Sequence, residues 1–333
     1  MRAVVLVGGF GTRLRPLTDT IPKPMLPVGH RPMIARLVDR LAAGGVTDVV
    51  LALGFRPEPF VEAFPDGRCG DVALTYAVEP EPLDTGGAIK FAAEYAGISE
   101  TFVVANGDVL TDLDVGALVA AHRRWGAEAT LHLIGVDDPS AFGVVALDGD
   151  RISAFVEKPD PGTEPTNLIN AGTYVFEPSV LDRIPSGEPV SIERSTFPVL
   201  VERGSMYGVA TDDYWIDAGR PDLYRAANLD LLGGGRPGQT CKPVASTAVV
   251  ARSAEIVNSL IGERATVGDG ARVHDSVVLP DAAVAPGATV DASLVMGRIG
   301  RNATVRRAIV GADGEVEADA SVVDRSVPDP SAA

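Results

Sequence analysis

The chain has 333 residues, 46% of them hydrophobic, which is enough to build two domains of average size. Its net charge of −16 argues against a protein that coats nucleic acid or an anionic membrane surface. Two cysteines are too few for a disulfide framework and no apolar run is long enough to span a membrane, so we expect a cytoplasmic protein.

The first predicted element is a buried strand over residues 3–7, which runs directly into a glycine-rich loop. Gly8, Gly9 and Gly11 let the backbone approach a ligand, so that amide groups there can converge on a phosphate. Residues 1–40 hold seven basic and two acidic side chains, a local charge of +5. Arg13 and Lys23 belong to this basic segment, and we expect a small polyanion to bind it. A solvated loop lysine is the alternative for Lys23.

The opening segment resembles the signature of the sugar-1-phosphate nucleotidyltransferases, GGxGTRLxPLT followed by PKPMLPV. Its form LVGGFGTRLRPLT is most similar to the mannose-1-phosphate guanylyltransferases of that family. The resemblance covers residues 1 to about 230. It implies catalytic roles for Arg13 and Lys23, and a nucleotide site that includes these two residues with Leu6, Gly8, Gly9, Gly11 and Thr12.

Strands and helical patterns alternate from residue 1 to about 232. A helix is predicted over residues 32–43, and further strands over residues 48–53, 72–78 and 101–105. This order predicts an α/β domain with a Rossmann-like, mixed, mainly parallel sheet. Ligands of such sheets bind beyond the carboxyl ends of the strands, so the loops that follow these strands are where we expect the site.

Two aspartates that end short apolar segments are the candidate metal ligands. Asp108 follows the predicted strand 101–105, and Asp217 stands in Trp215-Ile216-Asp217-Ala218-Gly219. A carboxylate that faces a triphosphate needs an intervening cation, and Mg²⁺ typically takes one or two carboxylates plus phosphate oxygens. The resemblance implies the same roles and counts Asp108 as catalytic. A turn or helix N-cap position for Asp108 and a helix cap for Asp217 are the alternatives.

Residues suited to a sugar phosphate follow later strands. Glu157 can accept hydrogen bonds from vicinal hydroxyls, and Lys158 can contact an anomeric phosphate, as the matching pair does in the resembled family. Asn170 can bind a hydroxyl, and Gly143 matches a family position whose backbone faces the sugar. The resemblance adds Asn106 to this set. Strand-end turns are the ordinary explanation for Asn170 and Gly143.

The nucleobase is expected at residues 79–87, where the predicted contacts are Glu79, Asp84, Thr85 and Gly86. A carboxylate can accept both adjacent N–H donors of guanine, whereas thymine and uracil suit an amide. Thymidylyltransferases use glutamine where this chain has Glu79, which favours guanine. Asp84 and Gly86 depart from the guanylyltransferase pattern, so the carboxylate that reads the base stays open.

A glycine-rich linker over residues 233–240 separates the predicted catalytic domain, 1–232, from a second domain, 241–327. There, apolar β-branched residues recur near every six positions, with a slip at residues 294–297. Such hexapeptide repeats predict a parallel β-helix, left-handed in many relatives of the resembled family, where it contributes to assembly. Residues 328–333 are predicted to be a frayed tail.

The predicted function is transfer of a guanylyl group from GTP to mannose 1-phosphate with Mg²⁺, giving GDP-mannose and pyrophosphate. None of the four histidines falls in the motifs, and a sugar phosphate is already anionic, so no general base is required. The alternatives are dTTP, ATP or UTP with glucose 1-phosphate, or a non-catalytic sensor of nucleotide sugars. We expect a homo-oligomer that binds neither nucleic acid nor membranes.

Overall fold

A computed structural model describes residues 1–54, 57–236 and 238–332. Pro237 of the predicted linker and Ala333 of the predicted tail lie outside the described residues. By its internal contacts the chain divides into two units. The first comprises Met1–Gly9 and Ile34–Trp215, and the second comprises Phe10–Met33 and the chain from Ile216 onward. The predicted boundaries at residues 232 and 241 stay predictions.

Strands and helices alternate along the chain before the repeats. The strands are β1 (Arg2–Leu6), β2 (Pro27–Val28), β3 (Arg31–Pro32), β4 (Asp48–Leu53), β5 (Arg68–Cys69), β6 (Val72–Val78), β7 (Phe102–Asn106), β8 (Val109–Thr111), β9 (Ala129–Gly135), β10 (Gly143–Asp148), β11 (Arg151–Glu157), β12 (Leu168–Phe176), β13 (Met206–Thr211) and β14 (Trp215–Asp217). The α-helices are α1 (Met33–Ala43), α2 (Glu58–Ala63), α3 (Asp84–Tyr95), α4 (Val115–Trp125), α5 (Phe197–Glu202) and α6 (Pro221–Gly233). A π-helical turn, Ile192–Thr196, precedes α5.

The first unit is built on a ten-stranded mixed sheet with the order β10-β11-β13-β9-β12-β7-β1-β4-β6-β5. The run β7-β1-β4-β6 is parallel, as is the pair β9–β13. Strand β12 is antiparallel to both β7 and β9, so it runs opposite to the direction that β7, β9 and β13 share. The predicted α/β fold class is confirmed.

The predicted strands and the first helix are found at or within one residue of their expected bounds. β4 and β6 span residues 48–53 and 72–78, whereas β1 and β7 lie one residue away from their predictions. β1, β4 and β7 are apolar because both faces of the sheet are covered there, and Val4, Val50 and Val104 are fully or almost fully buried in one shared core. Helix α1 begins at Met33, one residue after the predicted start.

Neighbouring parallel strands bring two of the predicted loops to the same edge of the sheet. β1 pairs with β7 in parallel, with Leu6 opposite Asn106. The amide of Gly107 donates to the carbonyl of Leu6 at 2.9 Å, so the loop that carries Asp108 starts beside the glycine loop. A side chain at position 107 would collide with Val7 and with this carbonyl, which explains the glycine.

The second unit contains the repeats. Its strands are β15 (Val249–Val250), β16 (Glu255–Val257), β17 (Leu260–Ile261), β18 (Thr266–Val267), β19 (Arg272–His274), β20 (Val277–Val278), β21 (Ala283–Val284), β22 (Thr289–Asp291), β23 (Leu294–Val295), β24 (Arg298–Ile299), β25 (Thr304–Arg306), β26 (Ile309–Val310), β27 (Glu315–Val316), β28 (Ser321–Val323) and β29 (Ser326–Val327). They form three five-stranded parallel sheets, as a parallel β-helix requires. The first sheet is β15-β18-β21-β24-β27, the second is β16-β19-β22-β25-β28 and the third is β17-β20-β23-β26-β29.

Successive coils of the β-helix are offset by 17 residues, except for one coil of 15. The shorter coil is the predicted slip, because Arg298 in the first sheet follows Leu294 in the third by only four positions. The inward residues of all three sheets, such as Val267, Val273 and Val278, form a continuous apolar core. The hexapeptide prediction is therefore confirmed, although the coils are one residue shorter than three hexapeptides.

The coil corners depend on polar side chains that the apolar pattern does not reveal. Ser259, Ser276 and Ser293 stack in successive coils, and the amides of Ser276 and Ser293 each donate to the hydroxyl oxygen of the serine before, at 3.0 Å. The amide of Ala308 donates to Ser293 in the same way. Asn and Asp residues such as Asn258 and Asp275 occupy left-handed corner positions, which their side chains tolerate.

Candidate active site

The second unit brings together three charged side chains that are distant in sequence. Lys23 Nζ lies 3.5 Å from Asp217 Oδ1. A methyl group placed on Gly219 would lie 2.7 Å from Lys23 Nζ and 3.0 Å from Arg13 Nη2. Arg13, Lys23, Asp217 and Gly219 therefore converge, and we call these four residues the cationic cluster. The glycine leaves open the space that a side chain would fill between the two cations.

The opening loop holds Lys23 by folding back on itself. The hydroxyl of Thr18 donates to the carbonyl of Gly11 at 2.9 Å. Gly11 is left-handed (φ +61°), and a methyl group there would lie 3.2 Å from Lys23 Cβ. The Lys23 side chain is 7% exposed, so it is a buried cation held near a carboxylate rather than a solvated loop lysine.

The remaining loop residues have different reasons for their identities. Gly8 lies against the backbone of Gly54, where a methyl group would come within 3.0 Å of the amide nitrogen. A methyl group on Gly9 would contact nothing within 4 Å, so this position is open to a ligand. Thr12 begins the 3₁₀ turn Thr12–Leu14 that carries Arg13. Nucleotide contacts by these residues and Leu6 stay predictions.

The structure shows that Asp217 does not cap helix α6. The N-cap of α6 is Arg220, whereas Asp217 Oδ1 accepts a hydrogen bond from the amide of Gly219 at 2.9 Å. Asp108 lies in the turn between β7 and β8, and the cap of the next helix is Asp114. Both candidate metal ligands are half-buried carboxylates at the ends of strands.

A magnesium site made of protein ligands alone is absent from the described residues. Nowhere in the described part of the chain do three His, Cys, Asp or Glu side chains converge as metal ligands would. The donor chemistry of Asp108 and Asp217 fits Mg²⁺ in another way, because this ion is commonly held by one or two carboxylates plus phosphate oxygens. Each aspartate by itself has the donor chemistry of a ligand to a metal that arrives with a triphosphate.

The predicted sugar-phosphate residues of the first unit lie around the end of β11. Lys158 Nζ is 3.4 Å from Glu157 Oε1, and Lys158 is 59% exposed whereas Glu157 is 16% exposed. Gly143 pairs with Glu157 across the β10–β11 ladder, and a methyl group on Gly143 would lie 3.0 Å from Glu157 Oε2. The same methyl group would lie 2.5 Å from Phe155 Cζ, so close packing against Phe155 and Glu157 requires a glycine at this position.

Asn170 and Asn106 meet at an irregularity in β12. Asn170 accepts from the amide of Gly172 at 3.0 Å and donates to the Tyr174 hydroxyl at 2.9 Å. A side chain on Gly172 would collide with Asn106 Nδ2, which lies 2.7 Å from the methyl position. The ladder between β12 and β9 shifts register between Asn170 and Tyr174, so Asn170 lies beside a bulge, whereas Asn106 pairs with Leu6 in the regular ladder between β7 and β1.

Two charged residues of this region, Glu193 and Arg194, were not predicted from the sequence and lie in the π-helical turn before α5. Burial raises the pKa of the Glu157 carboxyl, and the charge of Glu193 raises it further, whereas Lys158 and Arg194 lower it. Burial also raises the pKa of the Tyr174 phenol, and the charges of Glu193, Glu157 and Asp108 add to this effect. A single Glu-Arg pair matches no motif, so the sequence alone did not assign it to the site. The π-helical turn that carries it is a rare element that the sequence pattern does not predict.

Glu79, one of the predicted base contacts, is a buried carboxylate. Its exposed fraction is 7%, and Oε2 accepts a hydrogen bond from the amide of Leu83 at 3.0 Å. Burial raises the pKa of the Glu79 carboxyl, against the lowering effect of this hydrogen bond. Oε1 lies 3.7 Å from the methyl position of Gly8, so the carboxylate is directed toward the start of the glycine loop.

The other predicted base contacts have structural roles at the start of α3. Asp84 is left-handed (φ +55°), and its Oδ1 accepts from the amide of Thr85 at 2.7 Å. The Thr85 hydroxyl donates to Glu193 at 2.7 Å and accepts from the amide of Ile192 at 3.0 Å. A methyl group on Gly86 would lie 2.9 Å from the carbonyl of Val190. Contacts of Asp84, Thr85 and Gly86 with a nucleotide stay predictions.

The family model "Nucleotidyl transferase" matches residues 2–233. The chain belongs to the nucleotidyl transferase family. A second model, "GlmU-like, C-terminal hexapeptide", matches residues 231–296 and 252–329, which confirms the hexapeptide-repeat interpretation of the second domain. The family assignment made from the opening signature is therefore confirmed.

Relatives and solved structures agree with this assignment. The chain is 46% identical to mannose-1-phosphate guanylyltransferase of Mycobacterium tuberculosis over 241 residues, 71% of this chain and 66% of that protein. It is 42% identical to mannose-1-phosphate guanyltransferase of Candida albicans over 73% of this chain and 68% of that protein. The structure of HddC from Yersinia pseudotuberculosis complexed with GMP-PN is similar, with a TM-score of 0.58, 30% identity and coverage of 68% of this chain and 97% of that chain. The chain thus spans about two thirds of the length of these guanylyltransferases.

None of the helices in the described residues combines the length and the apolar composition that a membrane span needs.

Proposed function

We propose that the chain transfers a guanylyl group from GTP to mannose 1-phosphate and releases pyrophosphate. The observation that carries the proposal is the cationic cluster, in which Arg13, Lys23 and Asp217 converge around a glycine. It occurs in a chain 46% identical to a mannose-1-phosphate guanylyltransferase. Two cations beside a carboxylate suit a metal-bound triphosphate and its pyrophosphate leaving group.

Arg13 and Lys23 would neutralise the charge that develops on the departing pyrophosphate. Lys23 is buried and already ordered, so little reorganisation is needed at the moment of reaction. Arg13 adds a planar fork of donors, which suits phosphate oxygens. The amides of residues 8–12 would bind further phosphate oxygens, with the open position of Gly9 allowing close approach.

Mg²⁺ is the cofactor of this proposal, and Asp108 and Asp217 are its ligands. When bound, it would withdraw charge from the α-phosphate and lower the repulsion between that group and the incoming phosphate oxygen. The support is the carboxylate chemistry of the two aspartates and their position at strand ends, which leaves the remaining ligands to phosphate and water.

The sugar phosphate would be oriented by the residues around β11. Glu157 accepts hydrogen bonds from vicinal hydroxyls, Lys158 contacts the phosphate, and Asn170 binds a further hydroxyl. Gly143 would support this arrangement by letting the β10 backbone lie close against Phe155 and Glu157. The phosphate of the sugar is the nucleophile and is anionic at neutral pH, so its attack on the α-phosphorus needs positioning rather than a general base.

Guanine selection is assigned to Glu79. Its carboxylate can accept the adjacent N1–H and N2–H of guanine while Oε2 keeps the Leu83 amide, because a carboxylate has about four acceptor sites. Cytoplasmic location and self-association also belong to the proposal. They rest on the low cysteine count and the acidic charge, and on the resemblance to enzymes whose β-helix contributes to assembly.

The proposal is tested by measuring pyrophosphate release for GTP, dTTP, ATP and UTP, each with mannose 1-phosphate and glucose 1-phosphate. GTP with mannose 1-phosphate should give the highest kcat/KM, and the product should be GDP-mannose. A preference for another pair would replace the proposed substrates. Tight binding of GDP-mannose without pyrophosphate release from any pair would instead identify a nucleotide-sugar sensor.

A further inference from the structure

One face of the β-helix is buried on both of its sides. Ile261, Val278 and Val295 of the third sheet point into the β-helix core. The alternate residues of the same strands, Leu260, Val277 and Leu294, point away from that core, yet they are only 0–2% exposed. In the first sheet the corresponding outward position carries Val249, which is 66% exposed. Something within the second unit therefore covers the third sheet.

Two segments of the second unit provide this cover. Helix α6 contacts β17 and β20, and Arg225 of this helix donates to the carbonyl of Asp275 at 2.8 Å. The opening loop covers the following coils. A methyl group on Gly311 would lie 2.7 Å from Pro16 Cβ, and the Thr20 hydroxyl lies 3.9 Å from the sulfur of Met296.

Met296 and Gly311 occupy equivalent positions of successive coils, directly after β23 and β26. The offset between these two coils is 15 residues, which is the separation of Ser293 and Ala308 in their hydrogen bond. The preceding coils are offset by 17 residues. The β-helix is therefore irregular where the opening loop lies on it. Gly311 brings the backbone of the coil against Pro16, which no other residue type could do without displacing the loop.

The same segments support the cationic cluster. Residues 15–20 lie on Met296 and Gly311. The same segment contains Thr18, whose hydrogen bond to the carbonyl of Gly11 holds the loop around Lys23. Helix α6 begins just after Asp217 and Gly219, and its Asn228 accepts from the amide of Gly29 at 2.9 Å. The opening loop, which carries Arg13 and Lys23, and helix α6, which follows Asp217 and Gly219, thus both lie on the β-helix.

We propose that Met296 and Gly311 are positioning residues for triphosphate binding. They touch neither substrate nor the cationic cluster, but hold residues 15–20 and thereby set the positions of Arg13 and Lys23. This inference rests on the proposed function, and it gives the β-helix a part in catalysis besides assembly. It predicts that disturbing this contact alters the use of GTP and leaves the sugar phosphate unaffected.

Gly311→Ala in the full chain is the first test. Gly311 is outside the left-handed region, so alanine is tolerated by the backbone, and the added methyl group acts only by pressing on Pro16 and its own coil. We expect kcat/KM for GTP to fall roughly 10- to 100-fold, the loss expected from misplacing catalytic groups by a fraction of an ångström to about 1 Å. KM for mannose 1-phosphate should be unchanged.

Gly300→Ala is the matched control. Gly300 is also outside the left-handed region, and its methyl group would meet the backbone of residues 316–318 inside the β-helix. It therefore strains the β-helix without pressing on the opening loop. Unchanged GTP kinetics in Gly300→Ala would support the proposal, and a loss equal to that of Gly311→Ala would overturn it as a general effect of β-helix strain.

Met296 provides a test that does not depend on overpacking. Met296→Ala removes the side chain beneath Thr20 and should raise KM for GTP, whereas Met296→Leu preserves the volume and should restore wild-type kinetics. Equal kinetics in Met296→Ala and the wild type, together with equal kinetics in Gly311→Ala, would overturn the proposal.

Hydrogen exchange separates a failure of this inference from a failure of the proposed function. In Gly311→Ala the amides of residues 11–26 should exchange faster than in the wild type, while those of the second sheet of the β-helix keep their protection. This readout needs no substrate, so it stands even if the wild type releases no pyrophosphate from any pair. Unchanged exchange in residues 11–26 would refute the positioning role.

Discussion

Lys23 Nζ lies 3.5 Å from Asp217 Oδ1, although 194 positions separate the two residues in the chain. Lys23 is 7% exposed and Asp217 is 22% exposed. A buried lysine without a nearby carboxylate would be costly, so Asp217 balances the Lys23 charge in the absence of a substrate. The pair holds a cation ready for the anionic triphosphate.

Removal of either partner should slow turnover strongly. Lys23→Ala removes the buried cation, and Asp217→Asn removes a proposed magnesium ligand without changing the size of the side chain. Each should lower kcat by roughly 100-fold or more, the range seen when a preorganised electrostatic contact is lost. The measurement is pyrophosphate release with saturating GTP and mannose 1-phosphate.

Lys242→Ala is the control for Lys23→Ala, because Lys242 is exposed and interacts through its carbonyl with His30. It should keep wild-type turnover. Near-normal turnover in Lys23→Ala or Asp217→Asn, with the circular dichroism spectrum unchanged, would show that the cationic cluster has no part in the reaction.

Glu79→Gln tests the assignment of base selection. An amide can still accept the Leu83 hydrogen bond through its oxygen, so the local fold should persist. It cannot accept both donors of guanine, so the ratio of kcat/KM for GTP to that for dTTP should fall roughly 10- to 100-fold, as expected for hydrogen bonds to a charged group. The exposed neighbour Glu81 gives the control Glu81→Gln, whose ratio should equal that of the wild type. An unaltered ratio in Glu79→Gln would remove Glu79 from base recognition.

Acid should destabilise the protein through His132. This side chain is fully buried, bonds to the Thr211 hydroxyl at 2.8 Å, and has its pKa lowered by burial from 6.5 to about 4. The unfolded chain binds this proton at higher pH than the folded chain, so the stabilising contribution is present above pH 6.5 and is lost as the pH falls toward 4. The loss amounts to about 3 kcal/mol of the free energy of unfolding.

Urea denaturation at several pH values between about 7 and about 4 measures this effect. The difference in free energy of unfolding between the wild type and His132→Gln should shrink as the pH falls, since glutamine does not titrate. His274→Gln, on the surface of the β-helix, controls for loss of a histidine as such. A difference that does not vary with pH would contradict the assignment.

The serine stack predicts a specific cost in the β-helix. Ser276→Ala removes the acceptor for the buried amide of Ser293, so the free energy of unfolding should fall by about 1–3 kcal/mol. Ser253 makes the equivalent kind of contact, with the amide of Gly270, at an exposed corner. There water can replace the hydroxyl, and Ser253→Ala should cost much less by the same denaturation assay. Equal losses of unfolding free energy in Ser276→Ala and Ser253→Ala would show that burial of the serine stack does not increase the cost of losing a hydroxyl.

The sequence predicted the regular parts of the fold well because they follow from local patterns. β4 is a continuous apolar run that is buried from Val49 to Leu53, and β6 is rich in apolar residues although Thr75 and Val78 are exposed, so the bounds of both strands could be predicted from the sequence. The β-helix was readable from its repeated valines and isoleucines, including the slip at residues 294–297. The stack of Ser259, Ser276 and Ser293 was not, because the apolar pattern records only the inward residues.

The candidate site was only partly predictable for the same physical reason. The opening signature predicted Lys23 as a functional residue and the Trp215–Gly219 segment predicted Asp217, but neither predicted that their side chains would be 3.5 Å apart. Thr85 and Gly86 were expected to face a nucleotide, whereas their closest contacts are with residues 190–193, at the start of the π-helical turn. Arg194 was missed because its effect on Glu157 depends on tertiary packing.

The central claim is that an oxygen of the sugar phosphate becomes bonded to the α-phosphorus of GTP as pyrophosphate leaves, and isotope transfer tests it most directly. Mannose 1-phosphate carrying ¹⁸O in its non-bridging phosphate oxygens is incubated with GTP, and both products are analysed by mass spectrometry. All of the label should appear in the GDP-mannose, because an oxygen of the sugar phosphate becomes the bridge to the α-phosphorus, and the pyrophosphate should carry none. Label in the pyrophosphate, or pyrophosphate release without GDP-mannose, would contradict the account.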